Sequence, residues 1–195
     1  ETIPAGLDLK TKQLNCPSAS VIVVQGGKTL YSSFRGSARV NESAPLSDRS
    51  GYQIASISKT FTTAMLFKLR DDGKLPQGLD TPVASLLPSF KVKSAYRSKR
   101  GITLRALAMH ASGLPREAPY CPRCSQEEIL AKIADLWVLC EQYSGTHYSN
   151  LGVALLGRSL EVAAGKSWEK YMVEDLMAPL GMSNSGAPPA DNGEM

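Results

Sequence analysis

Histidine and cysteine are scarce in this sequence, which limits the metal sites it can hold. Its 195 residues include two histidines, His110 and His147, and four cysteines. The histidines lack the H-x-x-x-H spacing of a zinc-binding helix, and the C-x-x-C pair, Cys121 and Cys124, has no second pair to complete a structural zinc site. We therefore expect no metal, and no motif indicates an organic cofactor.

Long apolar runs and strong net charge are also lacking. No run approaches the roughly 20 apolar residues of a transmembrane helix, so no membrane-spanning segment is predicted. No charged-then-apolar leader follows Glu1, so we expect any targeting segment to have been removed or to lie outside this sequence. Much of the net charge of +4 lies in residues 91–100, KVKSAYRSKR. This stretch lacks the interleaved aromatic residues of a base-stacking surface, so we interpret it as a solvated loop and expect no nucleic-acid partner.

The four cysteines, Cys16, Cys121, Cys124 and Cys140, allow three disulfide pairings, and the sequence does not choose among them. The CPRC stretch is compatible with a zinc ligand pair, a redox motif or a disulfide, and disulfides in an oxidising compartment are the preferred interpretation. Asn41 begins an N-E-S glycosylation sequon, which agrees with secretion. The predicted location is extracellular or a periplasm-like oxidising compartment.

Hydrophobic patterning predicts an α+β fold. The β-rich runs SASVIVVQ and KTLYSSF flank a Gly-Gly turn, the signal of an antiparallel hairpin. A helix over residues 56–72 is predicted next, ending at Gly73. Its inward face is predicted from apolar residues at helical spacing: Ile57, Phe61, Ala64, Met65 and Leu69.

The remainder of the chain is predicted to be mainly helical. Four segments carry helix signals: a Thr103 cap, a Ser-x-x-Glu capping box at Ser125, a stretch from Leu151 to Ala164 ending at Gly165, and SWEKYMVEDLM from Ser167. Strands followed only by helices leave a two-stranded sheet with uncovered edges. Further strands of the sheet are therefore expected to be missing on the C-terminal side.

A serine and a lysine stand three residues apart where the first helix is predicted to begin. Ser56 and Lys59 share one helical face and can touch. A serine hydroxyl is a weak nucleophile unless a neighbouring base takes its proton, which a lysine can do only as the neutral amine. Burial and the positive end of the helix dipole both disfavour the ammonium form, and the same helix end favours an oxyanion.

Ser-x-x-Lys alone is weak evidence, because Ser167 and Lys170 repeat it. There the simplest interpretation is a capping serine and a solvated lysine. A second element, the sequence's one Tyr-x-Asn, distinguishes the first pair: Tyr148 and Asn150 lie in GTHYSNLG, where another helix is predicted to begin. A phenol can relay a proton, and a carboxamide can donate to a substrate carbonyl.

With these motifs the sequence resembles the superfamily of serine β-lactamases and penicillin-binding proteins, in its class C-like branch. YQIASISKTFTTAML, ITLRALAMHASGLP, YSNLGVALLG and MAPLGM follow one another in the order and spacing typical of that branch. The resemblance implies a β-lactamase/transpeptidase-like fold. It also implies catalytic roles: Ser56 as acylated nucleophile, Lys59 as its base, Tyr148 as proton relay and Asn150 as positioning amide. It implies a structural role for His110, whereas His147 is interpreted as a loop residue.

The family's third motif, Lys or His followed by Ser, Thr or another residue and then Gly, lies on a strand that walls the active site, and no such strand is predicted before Met195. Residues 1–195 are therefore expected to be one incomplete catalytic domain: an N-terminal segment and hairpin (1–55), a nucleophile helix (56–72) and a helical region (73–195). Because one oxyanion donor is worth about 100- to 1000-fold in rate, this part alone is expected to be nearly inactive.

The resemblance implies that the full-length protein is a serine acyl-hydrolase. It would act through an acyl-enzyme on an amide, ester or β-lactam carbonyl of a small molecule or peptide. The alternative is a catalytically inactive module that keeps the fold for binding or structure, because fold does not guarantee function. Neither substrate identity nor oligomeric state is predicted.

Overall fold

A computed structural model describes residue 6 and residues 13–39, 44–96, 101–121 and 123–186. Asn41 and the second part of the basic stretch, residues 97–100, lie outside the described residues. The chain forms two compact units, Glu1–Gln53 and Ile54–Met195. The expectation of one incomplete catalytic domain stays a prediction.

The first unit contains the predicted antiparallel hairpin. Strand β1 spans Ser18–Gln25 and strand β2 spans Lys28–Gly36, and the register pairs Ser18 with Gly36 and Gln25 with Lys28. Gly26 and Gly27 have φ angles of 57° and 73°, the left-handed conformation that a tight two-residue turn requires. The turn chemistry in the sequence thus predicted the hairpin.

The second unit is helical, as predicted. A 3₁₀ turn at Ala55–Ile57 precedes helix α1, so the α-helix begins two residues later than predicted. The helices are α1 (Ser58–Asp71), α2 (Val83–Leu86), α3 (Leu104–Ala108), α4 (Gln126–Ile133), α5 (Asn150–Ala164) and α6 (Trp168–Tyr171), the last continued by a π-helical turn at Met172–Met177.

The predicted helix signals are confirmed. Thr103 accepts a hydrogen bond from the Ala106 N–H, and Ser125 and Glu128 form the reciprocal capping box of α4. Gly73 and Gly165 both adopt left-handed φ angles just beyond α1 and α5. Local side-chain chemistry therefore determines where these helices begin and end.

The buried face of α1 differs from the predicted one. Met65 and Leu69 are buried as expected, but Ile57 is 62% exposed and Ala64 is exposed. The buried positions are Thr62, Met65, Leu66 and Leu69. These residues follow i, i+3, i+4, i+7 spacing. The contact face is therefore rotated away from the predicted one and toward Thr62 and Leu66.

Helix α1 packs against α5 in the core of the second unit. Leu156 and Leu160 of α5 are fully buried, and the indole N–H of Trp168 donates to the Thr62 hydroxyl at 3.1 Å. This bond gives the buried threonine a polar partner, which a hydroxyl inside a core requires. The bond thereby links α1 to the start of α6.

Gly113 is a glycine at which we expect a large loss of stability on substitution. Its φ of 73° is left-handed, and an added Cβ would collide with the Cys140 carbonyl oxygen and lie 2.8 Å from Val138 Cγ1. Gly113→Ala is expected to lower the free energy of unfolding by about 3 kcal/mol, the sum of backbone strain and overpacking. Denaturant unfolding of the full-length protein measures this change.

Gly165→Ala provides the matched control. Gly165 has a φ of 70°, but its Cβ position has open space around it. Gly165→Ala should therefore lower the free energy of unfolding only by the cost of backbone strain, about 1 kcal/mol. Equal destabilisation by the two variants would contradict the predicted collision at Gly113.

One disulfide, Cys121–Cys124, joins the cysteines of CPRC, whereas Cys16 and Cys140 are free. The bridge just precedes the capping box of α4, whose first helical residue is Gln126. Among the described residues, no helix is long and apolar enough to cross a membrane. No group of three or more His, Cys, Asp or Glu suited to a metal ion occurs in the same part of the chain.

Candidate active site

The 3₁₀ turn before α1 presents Ser56. Ala55, immediately before it, has a φ of 44°, which is uncommon for a residue with a Cβ. Ser56 is exposed, and Lys59 in the first turn of α1 is half-buried. A strained residue beside an exposed hydroxyl is a combination found at functional sites, where the surrounding structure has to maintain the strain.

Ser56, Lys59 and Tyr148 meet at one oxygen atom. Lys59 Nζ donates to Ser56 Oγ at 2.9 Å, and the Tyr148 hydroxyl donates to the same Oγ at 2.8 Å. Lys59 Nζ also lies 4.9 Å from the centroid of the Tyr148 ring. Three of the four residues named from the sequence are therefore in direct contact.

Tyr148 is held in place by bonds to the residues on either side of it. The His147 N–H donates to the His110 carbonyl at 2.7 Å, and the Ser149 N–H donates to His110 Nδ1 at 3.1 Å. Ser149 also donates through its hydroxyl to the Pro115 carbonyl at 2.6 Å, while that hydroxyl accepts from the Gly152 N–H as the cap of α5. The segment after α3 thus fixes the backbone from which Tyr148 projects.

Asn150, the fourth predicted residue, bonds elsewhere. Its Nδ2 donates to Glu117 Oε1 at 2.8 Å, and the same oxygen accepts from Arg116 Nε at 3.1 Å. The Asn150 backbone N–H donates to the Arg116 carbonyl at 2.7 Å. The carboxamide donor predicted to face a substrate carbonyl is therefore occupied by Glu117.

Positive charge surrounds the phenol. Hydrogen bonding to Lys59 and then to Ser56 lowers the pKa of Tyr148, and the charges of Lys59 and Arg116 act in the same direction. The Arg116 guanidinium lies 5.2 Å from the ring centroid. Because a lowered pKa makes the phenolate easier to form, the Tyr148 oxygen is suited to accept as well as donate a proton.

The second Ser-x-x-Lys pair has a different geometry. The Ser167 hydroxyl accepts from the Lys170 backbone N–H and caps α6, as predicted. Lys170 Nζ lies 3.9 Å from Glu174 Oε1. The pair is therefore a helix cap beside an exposed ion pair.

Sequence reasoning missed Arg116, Glu117 and Ser149. Ser149 had a local signal, a capping residue before an apolar helix, whereas Arg116 and Glu117 had none. His110 was predicted to be structural, and it contacts the ring of Tyr148 with a centroid separation of 4.6 Å. Only the approach of the segment after α3 to the start of α5 shows that these residues border the site.

The chain matches a known group of proteins. The Beta-lactamase family model matches residues 7–195, so the chain belongs to the Beta-lactamase family. Beta-lactamase-like protein 2 of Dictyostelium discoideum is 44% identical over 151 residues, which are 73% of this chain and 27% of that protein. Penicillin-binding protein 4* of Bacillus subtilis is 29% identical over 86% of this chain and 37% of its own length.

Solved structures show the same fold. The octameric penicillin-binding protein homologue from Pyrococcus abyssi aligns with a TM-score of 0.80 at 26% identity, covering 92% of this chain and 42% of that one. The β-lactamase/D-alanine carboxypeptidase from Yersinia pestis aligns with a TM-score of 0.76 at 26% identity, covering 97% and 57%. The predicted β-lactamase/transpeptidase-like α+β fold is confirmed, and this chain spans only part of each relative.

Proposed function

We propose that the full-length protein is a serine acyl-hydrolase that works through an acyl-enzyme on Ser56. The observation that carries this proposal is the pair of hydrogen bonds that Lys59 Nζ and the Tyr148 hydroxyl donate to Ser56 Oγ. A serine hydroxyl becomes a useful nucleophile only when neighbouring groups can remove and return its proton. Membership of the Beta-lactamase family supports the assignment.

Acylation would proceed in two steps. Ser56 Oγ attacks the carbonyl carbon of an amide, ester or β-lactam while its proton passes to Lys59, which acts here in its neutral amine form, and the carbonyl π electrons move onto oxygen. When the tetrahedral intermediate collapses, the bond to the leaving group breaks and Tyr148 delivers a proton to that group. Lys59 restores the proton of Tyr148, which leaves an ester on Ser56.

Deacylation repeats the proton transfers with water. The neutral amine of Lys59 takes a proton from water, with the Tyr148 hydroxyl as relay, as the water oxygen attacks the ester carbonyl. The proton returns to Ser56 Oγ when the acid leaves. Asn150 would position the substrate once its carboxamide exchanges Glu117 for a substrate carbonyl.

The disulfide at Cys121–Cys124 is consistent with a secreted protein, which we also propose.

Labelling with a fluorophosphonate tests the proposal. The full-length protein is treated with the probe, digested with trypsin and mapped by mass spectrometry. We expect the adduct on the peptide of residues 50–59, SGYQIASISK, with fragment ions placing it on Ser56. A folded protein that forms no adduct would contradict the proposal and favour a non-catalytic binding module, and an adduct on Ser167 would contradict the assignment of Ser56 as nucleophile.

A further inference from the structure

His110 contacts three consecutive residues of the segment that carries the phenol. Its carbonyl accepts from His147, its Nδ1 accepts from the Ser149 N–H at 3.1 Å, and its ring stacks on Tyr148 at a centroid separation of 4.6 Å and an interplanar angle of 29°. Its φ of 56° is left-handed, two residues beyond the end of α3. These contacts exceed what a residue ending a helix requires.

The Nδ1 contact depends on a neutral imidazole. Burial, and then the charge of Lys59, lower the pKa of His110 below its ordinary value. The uncharged ring is thus favoured near neutral pH, and the Ser149 bond assigns its proton to Nε2. Nδ1 is then free to accept, and protonation of the ring would remove this acceptor.

We propose that His110 is a positioning residue for acylation, which holds the Tyr148 hydroxyl on Ser56 by fixing the backbone N–H of Ser149. This inference rests on the proposed function. The bonded N–H belongs to the residue directly after Tyr148, so a shift there moves the phenol at the end of its side chain. A displacement of about 1 Å at a reacting group can cost about 100-fold in rate.

Three substitutions of His110 distinguish the effect of its hydrogen-bond acceptor from the effect of its ring stacking. His110→Asn places Oδ1 the same number of bonds from Cα as Nδ1, and asparagine tolerates the left-handed backbone. His110→Gln carries the same carboxamide one bond further out. His110→Phe keeps a ring for stacking on Tyr148 but has no acceptor.

The measurement is the single-turnover rate of fluorophosphonate labelling by the full-length protein, with thermal unfolding as a check on folding. We expect His110→Asn to label within about fivefold of wild type, and His110→Gln and His110→Phe to label about 10- to 100-fold more slowly. His147→Asn serves as the control, since its backbone donor to His110 is unchanged and its side chain is exposed.

Coupling to Tyr148 gives a second readout that a purely structural role would not produce. In a Tyr148→Phe background, His110→Phe should cost almost nothing further, because its effect passes through the phenol. If His110→Phe does not fold, His110→Gln takes its place in this double-mutant cycle.

Several results would overturn the inference. One such result is a wild-type labelling rate in folded His110→Gln and His110→Phe. Another is a higher labelling rate for His110→Phe than for His110→Asn, which is the order expected if ring packing alone matters. The inference would also be overturned if the losses of labelling rate caused by His110→Phe and Tyr148→Phe were fully additive in the double mutant. Absence of labelling in the wild-type protein would instead contradict the proposed function itself.

Discussion

Lys59→Ala is expected to lower the acylation rate of the full-length protein by about 100- to 10,000-fold, the range attributed to a positioned general acid–base group. Two losses combine in this variant. The amine proposed to take the Ser56 proton is removed, and the Tyr148 phenol loses the hydrogen bond that is the largest cause of its lowered pKa. The measurement is the rate of fluorophosphonate labelling under single-turnover conditions, with Ser56→Ala defining the background.

The pH dependence of this variant has a definite sign. In wild type, hydrogen bonding to Lys59 holds the pKa of Tyr148 below its ordinary value, so the phenolate becomes available at a lower pH than for an ordinary tyrosine. Without Lys59 that pKa rises toward its usual value. Any residual labelling by Lys59→Ala should therefore increase at higher pH than labelling by wild type does.

Lys170→Ala is the matched control for Lys59→Ala. It removes the lysine of the second Ser-x-x-Lys pair, whose ammonium lies near Glu174 on an exposed surface. Wild-type labelling by Lys170→Ala is expected, since exposed ion pairs contribute little. If wild type and Lys59→Ala label at the same rate, Lys59 is not the base.

Tyr148→Phe is expected to lower the acylation rate by about 100- to 1000-fold, within the range for a general acid–base group. The substitution removes one oxygen atom and keeps the ring that stacks on His110, so the fold should be retained. The loss should fall on the chemical step, because the 2.8 Å hydrogen bond from the phenol to Ser56 Oγ is the contact removed. Labelling rate as a function of probe concentration separates that step from binding.

A matched tyrosine substitution checks the specificity of this loss. Tyr143→Phe removes the hydroxyl that bonds Thr103 Oγ1 at 2.9 Å, a contact between side chains not proposed to take part in the chemistry. It should label at nearly the wild-type rate. Undiminished labelling by Tyr148→Phe would eliminate the phenol as proton relay and leave Lys59 as the sole proton carrier.

Much of the local structure could be predicted because its causes lie within a few residues of each other. The Gly-Gly turn determined the hairpin, Ser125 and Glu128 determined the start of α4, and Gly165 determined the end of α5. The contact of Ser56 with Lys59 belongs to the same class, since residues three apart on a helical turn are neighbours.

The remaining features depend on contacts between distant parts of the chain. The inward face of α1 includes Thr62, whose hydroxyl accepts a hydrogen bond from Trp168, more than 100 residues later. Asn150 engages Glu117, although spacing gave no reason to connect the two residues. Hydrophobic periodicity and motif spacing carry no information about such partners.

The sequence by itself identified the side chains that we propose carry the chemistry, because Ser-x-x-Lys and Tyr-x-Asn each place suitable groups within one turn or one short segment. Only the tertiary structure decided that Tyr148 reaches Ser56 across 92 residues and that Ser167 does not form a comparable site. The physical reason is that the Ser56 hydroxyl acquires its second hydrogen-bonding partner, the Tyr148 hydroxyl, through the packing of distant segments. Here the segment after α3, through His110 and Arg116, holds the backbone on either side of Tyr148.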